Sequence, residues 1–155
     1  MSNEIHKLKE KRGTFKGIIG ECLFKLTRKK LILTQYCRFN KWNSLYGTSI
    51  TNEQKCFLKK EWYSLDGIEV IRFSDLAQIT LFEVKTRNRY RKSFGFKPKM
   101  TENTHRLYQQ AKDLGFSVKL ATVWLEDNWN YSVKITDFNS KYYCIDKPKQ
   151  YDKKY

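Results

Sequence analysis

Residues 79–86, Ile-Thr-Leu-Phe-Glu-Val-Lys-Thr, make an almost unbroken β-forming run without Pro or Gly, and such a run commits the chain to a sheet. Charge inside it is the anomaly. Residues i and i+2 of a strand share one face, so Glu83 and Lys85 project together while Phe82 and Val84 point to the other side. Residues 68–73 read as a second strand, and Ser74-Asp75 begin a turn back toward Ile79. Asp66 stands just ahead of that strand and 17 residues before Glu83, a separation that suits a hairpin with a short loop. Folding the hairpin sets the two carboxylates side by side.

Two carboxylates in one place hold Mg²⁺ through a few oxygen ligands and leave the other octahedral positions to water and a substrate phosphate. A metal so placed polarises the scissile phosphate and lowers the pKa of an attacking water. Lys85, on the same face, orients that water or neutralises charge building on the phosphorane oxygens. The ordinary alternative is a surface ion pair between Glu83 and Lys85 at a strand end.

Charge narrows the choice of partner. Lys and Arg number 31 against 16 Asp and Glu, giving a formal net charge of +15, and such an imbalance calls for a polyanion. The basic residues are spread over 7–16, 28–30, 59–60, 87–99 and 147–154, with aromatic residues interleaved. That distribution suits a folded surface gripping phosphates, with rings available for unpaired bases. A generally positive, solubilising surface is the plainer reading. No membrane partner is expected, because no apolar run approaches 18 residues and residues 1–6 carry no signal-peptide core. The four cysteines show no C-x-x-C pairing and there are two histidines, which argues against zinc and for an intracellular, cytoplasmic chain with reduced thiols. At 155 residues and 40% hydrophobic content, one domain with frayed basic ends at about 1–12 and 140–155 is expected.

Along the chain, Phe15, Ile18, Ile19, Cys22, Leu23 and Leu26 fall on one stripe of an amphipathic helix with Thr14 as its N-cap. Glu21 lies outside that stripe, at a cleft edge or in solvent. Gly17 and Gly20 each weaken a helix interior by about 1 kcal/mol, which tilts the segment toward a close approach of backbone or ligand. Residues 31–36 read as a first strand, and Thr51-Asn52-Glu53-Gln54 as a cap opening a short helix over 52–60. The hairpin follows, then a basic loop over 87–99. Thr101 or Asn103 caps a helix with Leu107, Ala111 and Leu114 on one side, ended by Gly115. Strands at 117–125 and 131–138 complete the chain. Tyr108 and Gln109 on the last helix are further candidates to face the acids, and His105 near its start is a candidate acid or phosphate contact; each is otherwise an ordinary surface group, His105 as an exposed helical histidine.

The order helix, three strands, helix, two strands, with Asp66 and Glu83-x-Lys85 on consecutive strands and Glu21 on the preceding helix, resembles the PD-(D/E)xK nuclease superfamily. Size and basic surface look like its archaeal Holliday-junction resolvases. The resemblance spans residues from about 13 to 138 in element order, but only four positions carry motif identity. Leu65 stands where many members have Pro, and the 17-residue spacing is longer than in compact resolvases. The resemblance implies an α/β fold, a central mixed β-sheet flanked by helices in a restriction-endonuclease-like αβββαββ order. It also implies a Mg²⁺-dependent endodeoxyribonuclease of DNA repair or recombination, with Mn²⁺ as a substitute ion. Glu21, Asp66 and Glu83 would be the metal ligands and Lys85 the catalytic lysine. Arg87, Asn88, Arg89, Arg91 and Lys92, just past the strand, are the expected phosphate contacts. RNA stays open as a substrate, since backbone contacts do not report the 2′-OH. Paired cuts on a junction would need a symmetric homodimer, with Trp42, Tyr46, Trp62 or Trp124 at its interface or else in the core. The alternative function is a non-catalytic nucleic-acid-binding module on the same fold.

Overall fold

The computed structural model describes residues 15–88, 99–126, 130–139 and 143–146. Helix α1 (Phe15–Thr27) leads to strand β1 (Leu31–Leu33) and a 3₁₀ turn at Thr34–Tyr36. Helices α2 (Phe39–Tyr46) and α3 (Asn52–Glu61) precede the hairpin of β2 (Gly67–Phe73) and β3 (Leu76–Asn88). Then come β4 (Lys99–Thr101), α4 (Glu102–Asp113), β5 (Ser117–Leu125), β6 (Tyr131–Asp137) and β7 (Cys144–Asp146). The fold is α/β, with a five-stranded sheet in the order β1-β2-β3-β5-β6. The sheet is mixed: β3 and β5 run parallel and the other neighbours antiparallel. Parallel neighbours need a crossover, and α4 supplies it.

Helix ends follow the expected chemistry. Thr51 and Gln54 form a full capping box at the start of α3. The Thr101 hydroxyl accepts from the Thr104 amide, opening α4. Gly115 closes it with φ of +96°, a conformation that only glycine adopts without strain. At the hairpin tip Ser74 takes a positive φ of 53°, which the two-residue connection requires.

The sheet separates two apolar layers. On one face Ile68, Val70, Ile79, Leu81, Val118 and Leu120 pack with Phe39 and Trp42 of α2, Phe57 and Leu58 of α3, and Tyr108 and Ala111 of α4. On the other face Phe82, Val84, Ala121 and Val123 meet Phe24 of α1, with the Phe24 and Phe82 rings edge to face at 5.1 Å. The Arg28 guanidinium grips Glu69 with two hydrogen bonds of 2.7 and 2.8 Å and lies 5.3 Å from the Phe82 ring centre. That pair docks the end of α1 onto β2.

Several expectations are corrected. The stripe assigned to α1 is only partly its buried face: Leu23 packs on the sheet, but Phe15 and Leu26 are 77% and 74% exposed, Cys22 is exposed, and Gly20 and Phe24 are the fully buried positions. Steric fit overrides apolarity here, because a Cβ at Gly20 would lie 2.9 Å from Thr86 Cβ, so only glycine lets α1 approach β3 this closely. The first strand is three residues long, because Thr34–Tyr36 turns as 3₁₀. An additional helix, α2, forms over Phe39–Tyr46, held by Phe39 and Trp42 without a side-chain N-cap. The 140–155 end is not wholly frayed, as β7 pairs with β4 and Tyr143 is buried on the Phe138 ring. Residues 1–12, 140–142 and 147–155 lie outside the described residues. Trp42, Trp62 and Trp124 are buried within the fold.

Gly20→Ala is expected to destabilise the protein by about 1–2 kcal/mol, because displacing Thr86 outweighs the gain in helix propensity of about 1 kcal/mol. Urea denaturation measures it, and a rise in midpoint would show that α1 shifts without cost.

Candidate active site

The register of the hairpin builds the site. Gly67 pairs with Phe82, and one further step along both strands sets Asp66 opposite Glu83, where Cβ atoms stand about 5 Å apart. Both side chains are buried, at 7% and 8% exposure. Asp66 is fixed at two points: Oδ2 accepts from the Val84 amide at 2.8 Å, and its carbonyl accepts from the Thr34 amide at 3.1 Å. The strand alternation places Glu83 and Lys85 on one face, as expected, and Lys85 Nζ lies 3.1 Å from Glu83 Oε1. Neither group is at a free strand end, because β3 is the central strand and continues to Asn88.

Glu83 has a second partner. Tyr108 on α4 is fully buried and its hydroxyl lies 2.7 Å from Glu83 Oε2 and 3.1 Å from the Phe82 carbonyl. Burial, then the negative charge of Glu83, then that of Asp66, push the Tyr108 pKa well above the ordinary tyrosine range. The phenol therefore stays protonated and donates. Neighbouring Gln109 is exposed and bonded to Asp113 at 3.0 Å, on the outer face of α4. His105 is half-buried, with its ring 5.2 Å from that of Phe138 and 6.1 Å from that of Tyr143. It packs on those two rings and is not the fully exposed histidine expected.

Asp66, Glu83 and Lys85 are thus brought together. Glu21 enters from α1, and its carboxylate accepts from the amide of Gln35, a buried residue of the 3₁₀ turn. The adjoining Thr34 is the residue bonded to the Asp66 carbonyl, so Glu21 is tied to the acid pair through two turn residues. Among the described residues no three His, Cys, Asp or Glu side chains converge as a metal-holding group. No family model, curated protein or solved structure matches this chain. The geometry therefore carries the functional argument.

Arg87 continues the Glu83 and Lys85 face of β3, with its guanidinium 2.8 Å from the Thr86 carbonyl. Asn88 ends the strand half-buried. Arg89, Arg91 and Lys92 lie outside the described residues. Of the two groups that hold the acids, Tyr108 stands among the sequence candidates and Gln35 does not. Tyr108 has a signal, since it lies one turn before the core residue Ala111; Gln35 has none, because a strand is expected there.

The residues present fit a hard divalent cation. Asp66 and Glu83 offer carboxylate oxygens, the donors that Mg²⁺ prefers. Both carboxylates are buried, with the Lys85 ammonium 3.1 Å from Glu83 Oε1.

Proposed function

We propose that this protein is a metal-dependent DNA endonuclease that hydrolyses phosphodiester bonds. The observation that carries the reading is a buried pair of opposed carboxylates, Asp66 at the start of β2 and Glu83 on the central strand β3, with the Lys85 ammonium 3.1 Å from Glu83, in a highly basic chain. A surface ion pair needs none of that burial. The order α1, β1, β2, β3, α4, β5, β6, with α2 and α3 inserted after β1, supports the restriction-endonuclease-like comparison.

Asp66 and Glu83 would hold Mg²⁺, or Mn²⁺ in its place, and the ion would polarise the scissile phosphate and acidify a water. The Val84 amide holds Asp66 Oδ2, and the Tyr108 hydroxyl holds Glu83 Oε2. Both acids are thereby fixed before substrate arrives, which removes a reorganisation cost from the reaction. Lys85 places a positive charge where the phosphoryl oxygens gain negative charge, and it orients the attacking water. Glu21, whose carboxylate accepts from Gln35, would be the third acid of the set. Arg87 and Asn88, with Arg89, Arg91 and Lys92 beyond them in sequence, bind the flanking backbone. Branched DNA is the proposed substrate, in repair or recombination, cut by a homodimer. No helix among the described residues is long and apolar enough to cross a membrane.

The test is incubation of the purified chain with branched, single-stranded and duplex DNA, with and without Mg²⁺. Cleavage that requires the metal is expected. Binding should weaken steeply with salt, with a log–log slope near −0.9 for each phosphate neutralised. Tight, salt-sensitive binding without cleavage in Mg²⁺ or Mn²⁺ would instead make the chain a binding module.

A further inference from the structure

Away from the acids, the open edge of β1 borders a groove of about 480 Å³ whose rim carries Lys25, Lys29, Lys30 and Arg72. Its floor includes Ile32 and Val70. No carboxylate lines it, and among the described residues none of the four cations pairs with one. The acid that could neutralise them, Glu69, lies in the adjacent strand and is already held by both arms of Arg28. Arg72 is held in place, its guanidinium 5.4 Å from the Tyr46 ring centre and 3.3 Å from the Leu45 carbonyl. The Lys25 ammonium is likewise anchored, 3.1 Å from the Lys29 carbonyl. Four cations crowded around one concavity repel each other, and burial of an anion there relieves that repulsion.

We propose that this groove is a second contact for a phosphodiester backbone, gripping the strand as it runs on from the acid pair. Position supports it. Val70, which lines the groove, lies four residues beyond Asp66 in the chain, a separation of about 13 Å along β2 at the rise of a β-strand. At 3.4 Å per nucleotide step that is roughly four steps along a duplex. Shape supports it too, since cations on the rim meet phosphates while the apolar floor receives sugar. The assignment rests on the nuclease reading, because it places the groove contact on the same substrate.

The experiment compares the full chain with Lys29→Glu/Lys30→Glu and with Lys59→Glu/Lys60→Glu, a control that changes net charge equally at exposed positions on α3. Binding to duplex DNA, duplex RNA of the same sequence and phosphatidylserine vesicles is measured in EDTA across a salt series, with circular dichroism to check folding. The groove variant is expected to lose at least about tenfold in DNA affinity and to reduce the salt slope by about 2, while the control shifts affinity less than about threefold. An equal loss for RNA assigns the contact to the shared backbone, and a loss confined to DNA assigns it to the DNA duplex. Equal effects of both variants would overturn the groove assignment, as would loss of vesicle binding with DNA affinity unchanged. Those results leave the nuclease reading standing if the wild type still cuts DNA with Mg²⁺. A wild type that binds no nucleic acid at all overturns both.

Discussion

Asp66→Asn and Glu83→Gln are each expected to reduce Mg²⁺-dependent cleavage by about 10³-fold or more, since a lost metal ligand removes several kcal/mol of transition-state stabilisation. Binding of DNA should hold or strengthen, because each change removes a negative charge facing the phosphates. The amides are chosen over alanine for a structural reason. Asp66 Oδ2 is the acceptor for the buried Val84 amide, and truncation would leave that N–H orphaned. Each amide side chain retains an acceptor oxygen, so a loss of turnover with an unchanged urea midpoint would isolate chemistry from folding. Lys85→Ala should cut turnover with weaker binding, as a cation is lost. Single-turnover cleavage and a binding titration in EDTA measure the two effects. Full cleavage by both amide variants would remove the acid pair from the mechanism.

How much of this was legible in the sequence depends on whether a feature is local. The Glu83 and Lys85 face follows from strand alternation alone, and β3 obeys it from Ile79 to Arg87. The α3 capping box and the Gly115 stop are likewise local chemistry, and both appear where the sequence puts them. The buried side of α1 was not legible. Its apolar residues outnumber what the sheet accepts, and the choice of face is made by the fit of Gly20 against Thr86, a contact 66 residues apart in sequence. Helix α2 leaves no local signal because Arg38 offers it no side-chain cap and its stability comes from tertiary contacts, including Phe39 against Trp62 at 5.6 Å. The Arg28–Glu69 pair has the same character. A charge pair across 41 residues leaves no periodic trace.

In the site, the carboxylates and Tyr108 stood among the candidates, and Gln35 did not. Glu83 and Asp66 stand out as charges in apolar surroundings and Tyr108 falls at helical spacing from Ala111, whereas Gln35 resembles many other polar residues until the fold brings it to Glu21. Such positioning groups carry their meaning in geometry alone.

Tyr108→Phe tests that positioning and carries the second large effect. The substitution preserves the buried ring but leaves Glu83 Oε2 without its hydroxyl donor. A hydrogen bond to a buried charged group is worth about 1.5–3 kcal/mol, so a loss near the upper end of that range is expected at pH 7. The effect should fade in alkali. The folded-state pKa of Tyr108 is raised, first by burial and then by Glu83 and Asp66, while the unfolded chain loses the proton at about pH 10. The native state then binds more protons than the unfolded state, so the contribution is whole below about pH 10 and is lost as pH climbs toward the folded pKa. Above pH 10 the wild type should lose about 1.4 kcal/mol more per pH unit than Tyr108→Phe, which has no phenol to titrate there. The gap between them therefore narrows by roughly half over one pH unit. Urea midpoints at pH 7, 10 and 11 give the comparison, and the other tyrosines, common to both proteins, cancel. Parallel alkaline slopes would mean that Tyr108 ionises in the folded state as readily as in the unfolded chain, and that Glu83 is held without it.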